Sequence, residues 1–306
     1  MLLNSTSLTE HRTLAETQDI AIGDFLDKAA RAILPAALLR PPYGRALEQF
    51  AFSTQVIEAS DGDGGIDVPD TGFPIGADFI APHKTTYDYT PPLKRQDELA
   101  KRPTKWGWSL SPPLAESKGG EKSSRRMVYS FAGLLTSIER LVHRPDPFSL
   151  RERQDLAREV QRVAFEHLAS RILLHLESST TFTGDTVVVS GGVASNSFLR
   201  HVLRRILDVR GYERIKLCFP PIELCTDNAL MIAWAAVEMY EAGHMSSLDI
   251  GPIRKWSMDP TSADGGILGA DGWIKRNDEW DASASSFYGK DDSRGNAEIF
   301  IMANDR

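Results

Sequence analysis

VVVSGGVASNSFLR, residues 187–200, sets a β-branched run directly before two glycines and an amphipathic stretch. Thr186–Val189 reads as a buried strand. Beyond Gly191-Gly192, the residues Leu199, Val202, Leu203, Ile206 and Leu207 keep helical spacing, and Gly211 suits the C-terminal cap. Lys216 to Phe219 predicts a second strand, broken by Pro220-Pro221, and a third helix runs from Asp227 to Ala242 before Gly243. Strand, helix, strand, helix with short joints is an α/β layout.

Upstream, Thr17 to Leu34 carries Ile22, Leu26, Ala29, Ala30 and Ile33 on one helical face, and Pro35 stops it. Ser149 with Glu152 predicts a capping box that opens a long helix bearing Leu156, Val160, Val163, Ala164, Leu168 and Ile172. Between these two helices lie ten of the 17 prolines, from Pro41 to Pro113, with DGDGG at 61–65. Residues 50–127 are therefore a long insertion, either an ordered excursion or a partly disordered loop. Asp61, Asp63 and Asp67 faintly resemble a calcium loop, but Gly65 and Gly72 occupy ligand positions, so a solvated acidic turn is the better reading.

The 306 residues carry 42 acidic and 35 basic side chains, a net charge of −7, with 42% hydrophobic and 25% charged residues. This is the composition of a globular chain with a sizeable core, and it excludes a disulfide scaffold and a globally basic nucleic-acid binder. Cys218 and Cys225 are too few for a disulfide framework, which fits a reducing compartment. The longest apolar run, Ala229 to Val237, falls well short of the roughly 20 residues of a spanning helix, so no membrane is expected. Glu10, Glu16, Asp19, Asp24 and Asp27 make the start unlike a matrix-targeting peptide; it reads like the middle of a domain.

Two short features carry chemistry. Gly191-Gly192 lets the backbone approach a ligand, and amides at the following helix start attract phosphate oxygens. Asn196 stands there to cap the helix or to donate to a ligand. In ELCTDNALMIAWAA, residues 223–236, Asp227 and Asn228 head an apolar helix. That is an N-cap, or a carboxylate at the sheet edge where ligand and metal chemistry collects.

Taken in order, the two features resemble the tRNA threonylcarbamoyladenosine synthases, the TsaD family. AETQDIAIGDFLDKAARAIL (15–34), PPYGRALE (41–48) and YSFAGLLTSIERLV (129–142) are similar to further family segments. The run 89–114 and IRKWSMD (253–259) resemble the fungal mitochondrial branch, so the likeness covers residues 1 to about 259.

The resemblance implies an actin-like, sugar-kinase-like (ASKHA) α/β fold, here truncated to mainly the C-terminal lobe. It implies transfer of a threonylcarbamoyl group from threonylcarbamoyl-adenylate to N(6) of adenosine 37 in tRNAs reading ANN codons, in mitochondria. Asp27, Gly44, Glu48, Gly191, Gly192 and Asn196 would bind the donor, and Asp227 would ligate one divalent metal ion, whether iron, zinc or magnesium. No catalytic residue is assigned. Homodimerisation goes with the same branches, although no surface in the sequence argues for it.

Two family features are missing. None of His11, His83, His143, His167, His175, His201 and His244 are four apart, so the HxxxH metal motif is absent, as is the SGGHT loop. The chain is expected to begin just after that loop, with the metal poorly bound; a truncated gene is the preferred explanation, and a catalytically dead binding module the rival. A carbamoyltransferase or ATPase of the same fold is a further alternative. Basic density at Arg200, Arg204, Arg205, Arg210, Arg214 and Lys216, and at Lys94, Arg95, Lys101, Arg102 and Lys105, serves either tRNA phosphates or simple solvation. Trp106 and Trp108 either stack on a base or pin the loop. Residues 1–260 form the domain. Residues 261–306 are expected to be a disordered tail, in which Ile299–Met302 at best pins one strand to a sheet edge.

Overall fold

The computed structural model describes residues 1–7, 10–53, 87–115, 123–178, 184–225, 229–246, 248, 251, 257–263, 265–266, 273–275 and 298–302. Two short strands, β1 (Leu2–Ser5) and β2 (His11–Thr17), form an antiparallel pair and lead into helix α1 (Ile22–Ile33). The helical face expected from the spacing is the buried one: Ile22, Phe25, Leu26, Ala29, Ala30 and Ile33 all lie in the core. Helix α2 (Tyr43–Phe52) packs back on α1, and a short α3 (Arg95–Leu99) follows in the excursion. A two-residue strand β3 (Val128–Tyr129) opens α4 (Ala132–Val142), and the 29-residue α5 (Leu150–Ser178) crosses the molecule.

The expected strand and helix pairs follow in register. They are β4 (Thr186–Ser190), α6 (Ser197–Val209), β5 (Lys216–Cys218) and α7 (Ala229–Glu241). Gly211 and Gly243, just past α6 and α7, have φ of +79° and +84°, the left-handed conformation that ends a helix. Strand β6 (His244–Ser246) pairs with β7 (Trp273–Lys275) in a small separate sheet.

The main sheet has the order β3-β2-β1-β8-β4-β5, where β8 is Glu298–Met302. It is mixed: β8 runs antiparallel to β1 and parallel to β4. The sequence reading allowed residues 299–302 an edge at most; instead they occupy the centre, with Ile299 opposite both Asn4 and Val187. Four apolar residues in a polar tail look expendable until two strand edges compete for their backbone. The polar run between β7 and β8 lies outside the described residues, as does the acidic turn at 61–67.

Helix α5 organises the rest. Its apolar residues Leu156, Val160, Val163, Ala164, Phe165, Leu168 and Ile172 are buried against α1, α2, α6 and β3. Residues 87–115 of the insertion are laid along the same helix. Trp106 Nε1 donates to Asp155 Oδ2 at 2.9 Å, and Trp108 Nε1 to Glu152 Oε1 at 2.8 Å. The tryptophans thus pin the loop. Only half of the expected capping box forms: Glu152 N reaches Ser149 Oγ at 3.2 Å, while the Glu152 carboxylate is spent on Trp108 and Arg144.

Deleting residues 298–306 removes a strand hydrogen-bonded on both sides. We expect a loss of several kcal/mol, on the order of 10 °C in melting temperature. Calorimetric scanning checks this, and an unchanged melting temperature would remove β8 from the sheet.

Candidate functional site

The turn after β4 is built by glycine. Gly191 has φ +92° and ψ 171°, a conformation that only glycine holds without strain. A 3-10 turn, Gly192–Ser195, follows. It is closed by Ala194 N donating to Gly191 O at 2.9 Å, Ser195 Oγ to Gly192 O at 2.7 Å, and Arg200 Nε to Ala194 O at 2.8 Å. Gly191 and Gly192 are both half-buried, so the turn presents its backbone at the surface.

Asn196 ends the turn and caps α6. Its Oδ1 accepts from Leu199 N at 2.9 Å, and its Nδ2 donates to Gln161 Oε1, also at 2.9 Å. Gln161 is wholly buried on α5, and its own Nε2 donates to Ala157 O at 3.1 Å. Gln161 therefore fixes both the amide orientation and the position of Asn196. The sequence reading missed it, because one glutamine on an apolar helix carries no motif.

Helix α2 completes the arrangement from one face. Gly44 and Glu48 are four residues apart, one above the other. At Gly44 the backbone N–H donates to Asp27 Oδ1 at 3.1 Å, so a carboxylate from α1 sits at the N-terminus of α2. At Glu48, Oε1 accepts from Ser197 N at 2.7 Å, so a carboxyl group from α2 sits at the N-terminus of α6. Both acids meet the positive end of a helix dipole. The structure thus brings together Asp27, Gly44, Glu48, Gly191, Gly192 and Asn196. Asp227 lies outside the described residues.

This arrangement changes what α6 offers a ligand. The Ser197 and Leu199 amides are held by Glu48 and Asn196, and the Phe198 amide also faces Glu48. Amides that the sequence reading offered to a phosphate already have partners inside the protein. Asp27, by contrast, is half-buried. Burial pushes the Asp27 carboxyl above its usual range, against the Gly44 amide and the Arg31 guanidinium. The Arg31 guanidinium also lies 4.6 Å over the Tyr43 ring, tying α1 to the start of α2.

Several cations of the two basic clusters named from sequence pair with acids inside the protein. Arg102 meets Glu166 at 3.3 Å, Lys105 meets Asp155 at 2.8 Å, and Arg204 meets Asp208 at 2.7 Å. Arg95 pairs with Glu98, and Arg210 with both Glu98 and Glu177. A different set of cations lines an open cavity of about 580 Å³ between α1 and α4: Lys28, Arg31 and Arg140, with His143 and Glu139.

The family model described as "TsaD: tRNA N6-adenosine threonylcarbamoyltransferase" matches residues 53–234. The chain belongs to the TsaD family. A mitochondrial tRNA N6-adenosine threonylcarbamoyltransferase of Schizosaccharomyces pombe is 30% identical over 290 residues, 91% of this chain and 55% of that protein. TsaD relatives carrying the same name in Paramagnetospirillum magneticum and Bartonella henselae are 37% and 34% identical. They align over 45% and 49% of this chain, and 40% and 42% of their own lengths. The chain therefore spans about half the length of the curated relatives it matches. Within the family motifs, Asp19 joins two segments: its Oδ1 accepts from Phe131 N at 2.9 Å and its Oδ2 from Ser130 Oγ at 2.6 Å.

Among the described residues, no three His, Cys, Asp or Glu side chains are grouped to hold a metal ion. Asp227, the ligand that the resemblance implies, lies outside those residues.

Burial drives the Glu48 carboxyl up to about 7, against the Ser197 and Phe198 amides and the Arg45 and Arg200 guanidiniums. An acid raised by folding stabilises the fold while protonated. Its contribution is full below about 4.5, shrinks as pH rises, and is lost above about 7. Stability should therefore fall across that window by a component on the order of 3 kcal/mol. Glu48→Gln should lack that component when melting is followed from pH 4.5 to 7.5; identical pH slopes in both proteins would refute the assignment.

Proposed function

We propose that this chain supplies one wall of the donor site of a TsaD-family enzyme. In this reading the enzyme transfers a threonylcarbamoyl group from threonylcarbamoyl-adenylate to N(6) of adenosine 37 in tRNAs reading ANN codons. The observation that carries it is the convergence of Asp27, Gly44, Glu48, Asn196 and the Gly191–Gly192 turn on one face of α2, in a chain of that family. The Gly191–Gly192 backbone admits the adenosine part of the donor, since both glycines are half-buried and carry no side chain of their own. Asp27 offers a carboxylate to hydroxyl or amino groups of the same ligand. Glu48, Asn196 and Gln161 hold the turn in place, because their polar atoms are directed at one another and at α6.

The finer architecture, an actin-like fold of which this chain is mainly the C-terminal lobe, fits the mixed sheet flanked by helices. The metal and its ligand Asp227 are carried over from the family alone, as is a homodimer, to which no face is assigned. The name of the S. pombe relative supports a mitochondrial location. Among the described residues no helix is long and apolar enough to cross a membrane. For tRNA phosphates, the cavity lined by Lys28, Arg31 and Arg140 is one basic surface, although Lys28 also pairs with Asp24 at 2.7 Å.

Titration calorimetry with a non-hydrolysable threonylcarbamoyl-adenylate analogue tests the donor wall. Asp27→Asn keeps an oxygen for the Gly44 amide but removes the charge, so affinity should drop about tenfold with little change in melting temperature. Gly192→Val should abolish binding by crowding the turn. Equal affinity in wild type, Asp27→Asn and Gly192→Val would overturn the donor site.

A further inference from the structure

Arg200 stands in the first turn of α6, where the sequence offers it to tRNA phosphates or to solvation. The structure turns its guanidinium inward. Nε donates to Ala194 O, within the glycine turn, at 2.8 Å, and the guanidinium carbon lies 4.7 Å over the Phe219 ring. The same group faces the thiol of Cys225, which is itself buried. Nη2 is buried and has no hydrogen-bond partner among the described residues. One side chain therefore reaches both the loop after β4 and the loop after β5.

Those loops share an edge of the fold. Strands β4 and β5 are parallel neighbours, with Val188 opposite Cys218, so their carboxyl ends open side by side. Ligands of open α/β sheets collect outside such ends. The first loop is the glycine turn, and the second runs from Phe219 through two prolines to a 3-10 turn at Ile222–Leu224. Among the described residues no backbone hydrogen bond joins one loop to the other. Their relative placement is left to side chains.

We propose that Arg200 is a positioning residue of the donor site: its guanidinium fixes the spacing between the loops that follow β4 and β5. This rests on the reading of Gly191–Gly192 as part of the donor wall. A planar guanidinium bonds through its edge and stacks through its face at the same time, which a lysine ammonium cannot do. Arg200 uses both, the edge on Ala194 and the face on Phe219. Leaving Nη2 buried and unpaired is a cost that packing alone does not explain. The contact also links the two stretches that carry chemistry in the sequence, 187–200 and 223–236, since Cys225 belongs to the second.

The test uses the full 306-residue chain and reads hydrogen exchange beside calorimetric titration with the non-hydrolysable adenylate analogue. Arg200→Ala should speed exchange roughly tenfold over residues 191–196 and 217–225 while α1 and α5 stay protected. It should also weaken the analogue about tenfold. Millimolar guanidinium chloride should restore most of both effects; urea, a planar isostere without the charge, should restore neither. Phe219→Leu keeps the Ala194 bond, and Arg200→Lys keeps a donor for Ala194 without the stack. Each should loosen 217–225 alone, and these milder variants decide the matter if Arg200→Ala does not fold. Unchanged exchange in either loop of Arg200→Ala, a rise spread evenly over the chain, or a loss that guanidinium does not restore overturns the proposal. Wild-type exchange over 217–225 in both milder variants overturns it equally. A wild-type chain that takes up no analogue overturns the donor wall and this proposal with it, whereas fixed loops in Arg200→Ala beside a binding wild type overturn the proposal alone.

Discussion

A guanidinium buried in the core, that of Arg171, dictates much of this structure. Buried on α5, it carries a charge that no hydrophobic packing compensates. Burial, together with the nearby Arg95, brings its pKa down to about 10, yet the group stays charged at neutral pH. It has to be solvated by protein. Its donors reach Ser170 Oγ and the carbonyls of Ser124 and Arg126, drawing the chain before β3 onto α5. Arg95 shares the Ser170 and Ser124 oxygens, and Glu98 neutralises it on the way to Arg210, just past α6. One buried cation thus recruits the insertion, the strand and two helices.

The same logic repeats along α5. Glu166 is buried and its carboxyl rises in pKa for that reason, against Arg162 and Arg102; Tyr89 donates to it at 3.1 Å. His167 is held well below its usual range by burial and by Arg171, so its neutral Nε2 can accept from Ser130 N at 3.3 Å. Gln161 reaches Asn196. Polar residues spaced along the helix each fix a different neighbour, and removing one partner leaves a desolvated group behind. A proline-rich excursion is ordered between residues 87 and 115 because α5 needs its donors.

This explains which parts of the fold were legible. Helices α1 and α6 were, since their apolar spacing decides burial without help from elsewhere. Strand β4 was legible from its valines, and the glycine turn from Gly191. Strand β8 was not: Glu298–Met302 has nothing in its sequence to separate an edge from a centre, and the two partners, β1 and β4, lie about 300 and 110 residues away. At the site, Asp27 and Gly44 were found through family likeness, and the structure explains their proximity by a helix-terminal hydrogen bond. The character of Glu48 was not visible. A glutamate four residues after a glycine says nothing of the α6 terminus it meets, 149 positions along the chain.

The convergence of acids and amides also bears on how the glycine turn folds. Backbone donors at the starts of α2 and α6 would be costly to leave unpaired in a partly buried turn. Asp27, Glu48 and Asn196 satisfy them from within, so the Gly191–Gly192 turn is braced by the protein itself. The cost lies with Glu48, whose burial is only partly offset by two amides and two guanidiniums. An anion placed near this turn would act on that buried carboxyl through the intervening amides and favour its protonated form, since like charges in a desolvated space raise each other's pKa. Binding of an adenylate should therefore be accompanied by proton uptake near pH 7. Calorimetry in buffers of different ionisation enthalpy reads that uptake, and the Glu48→Gln protein should show none.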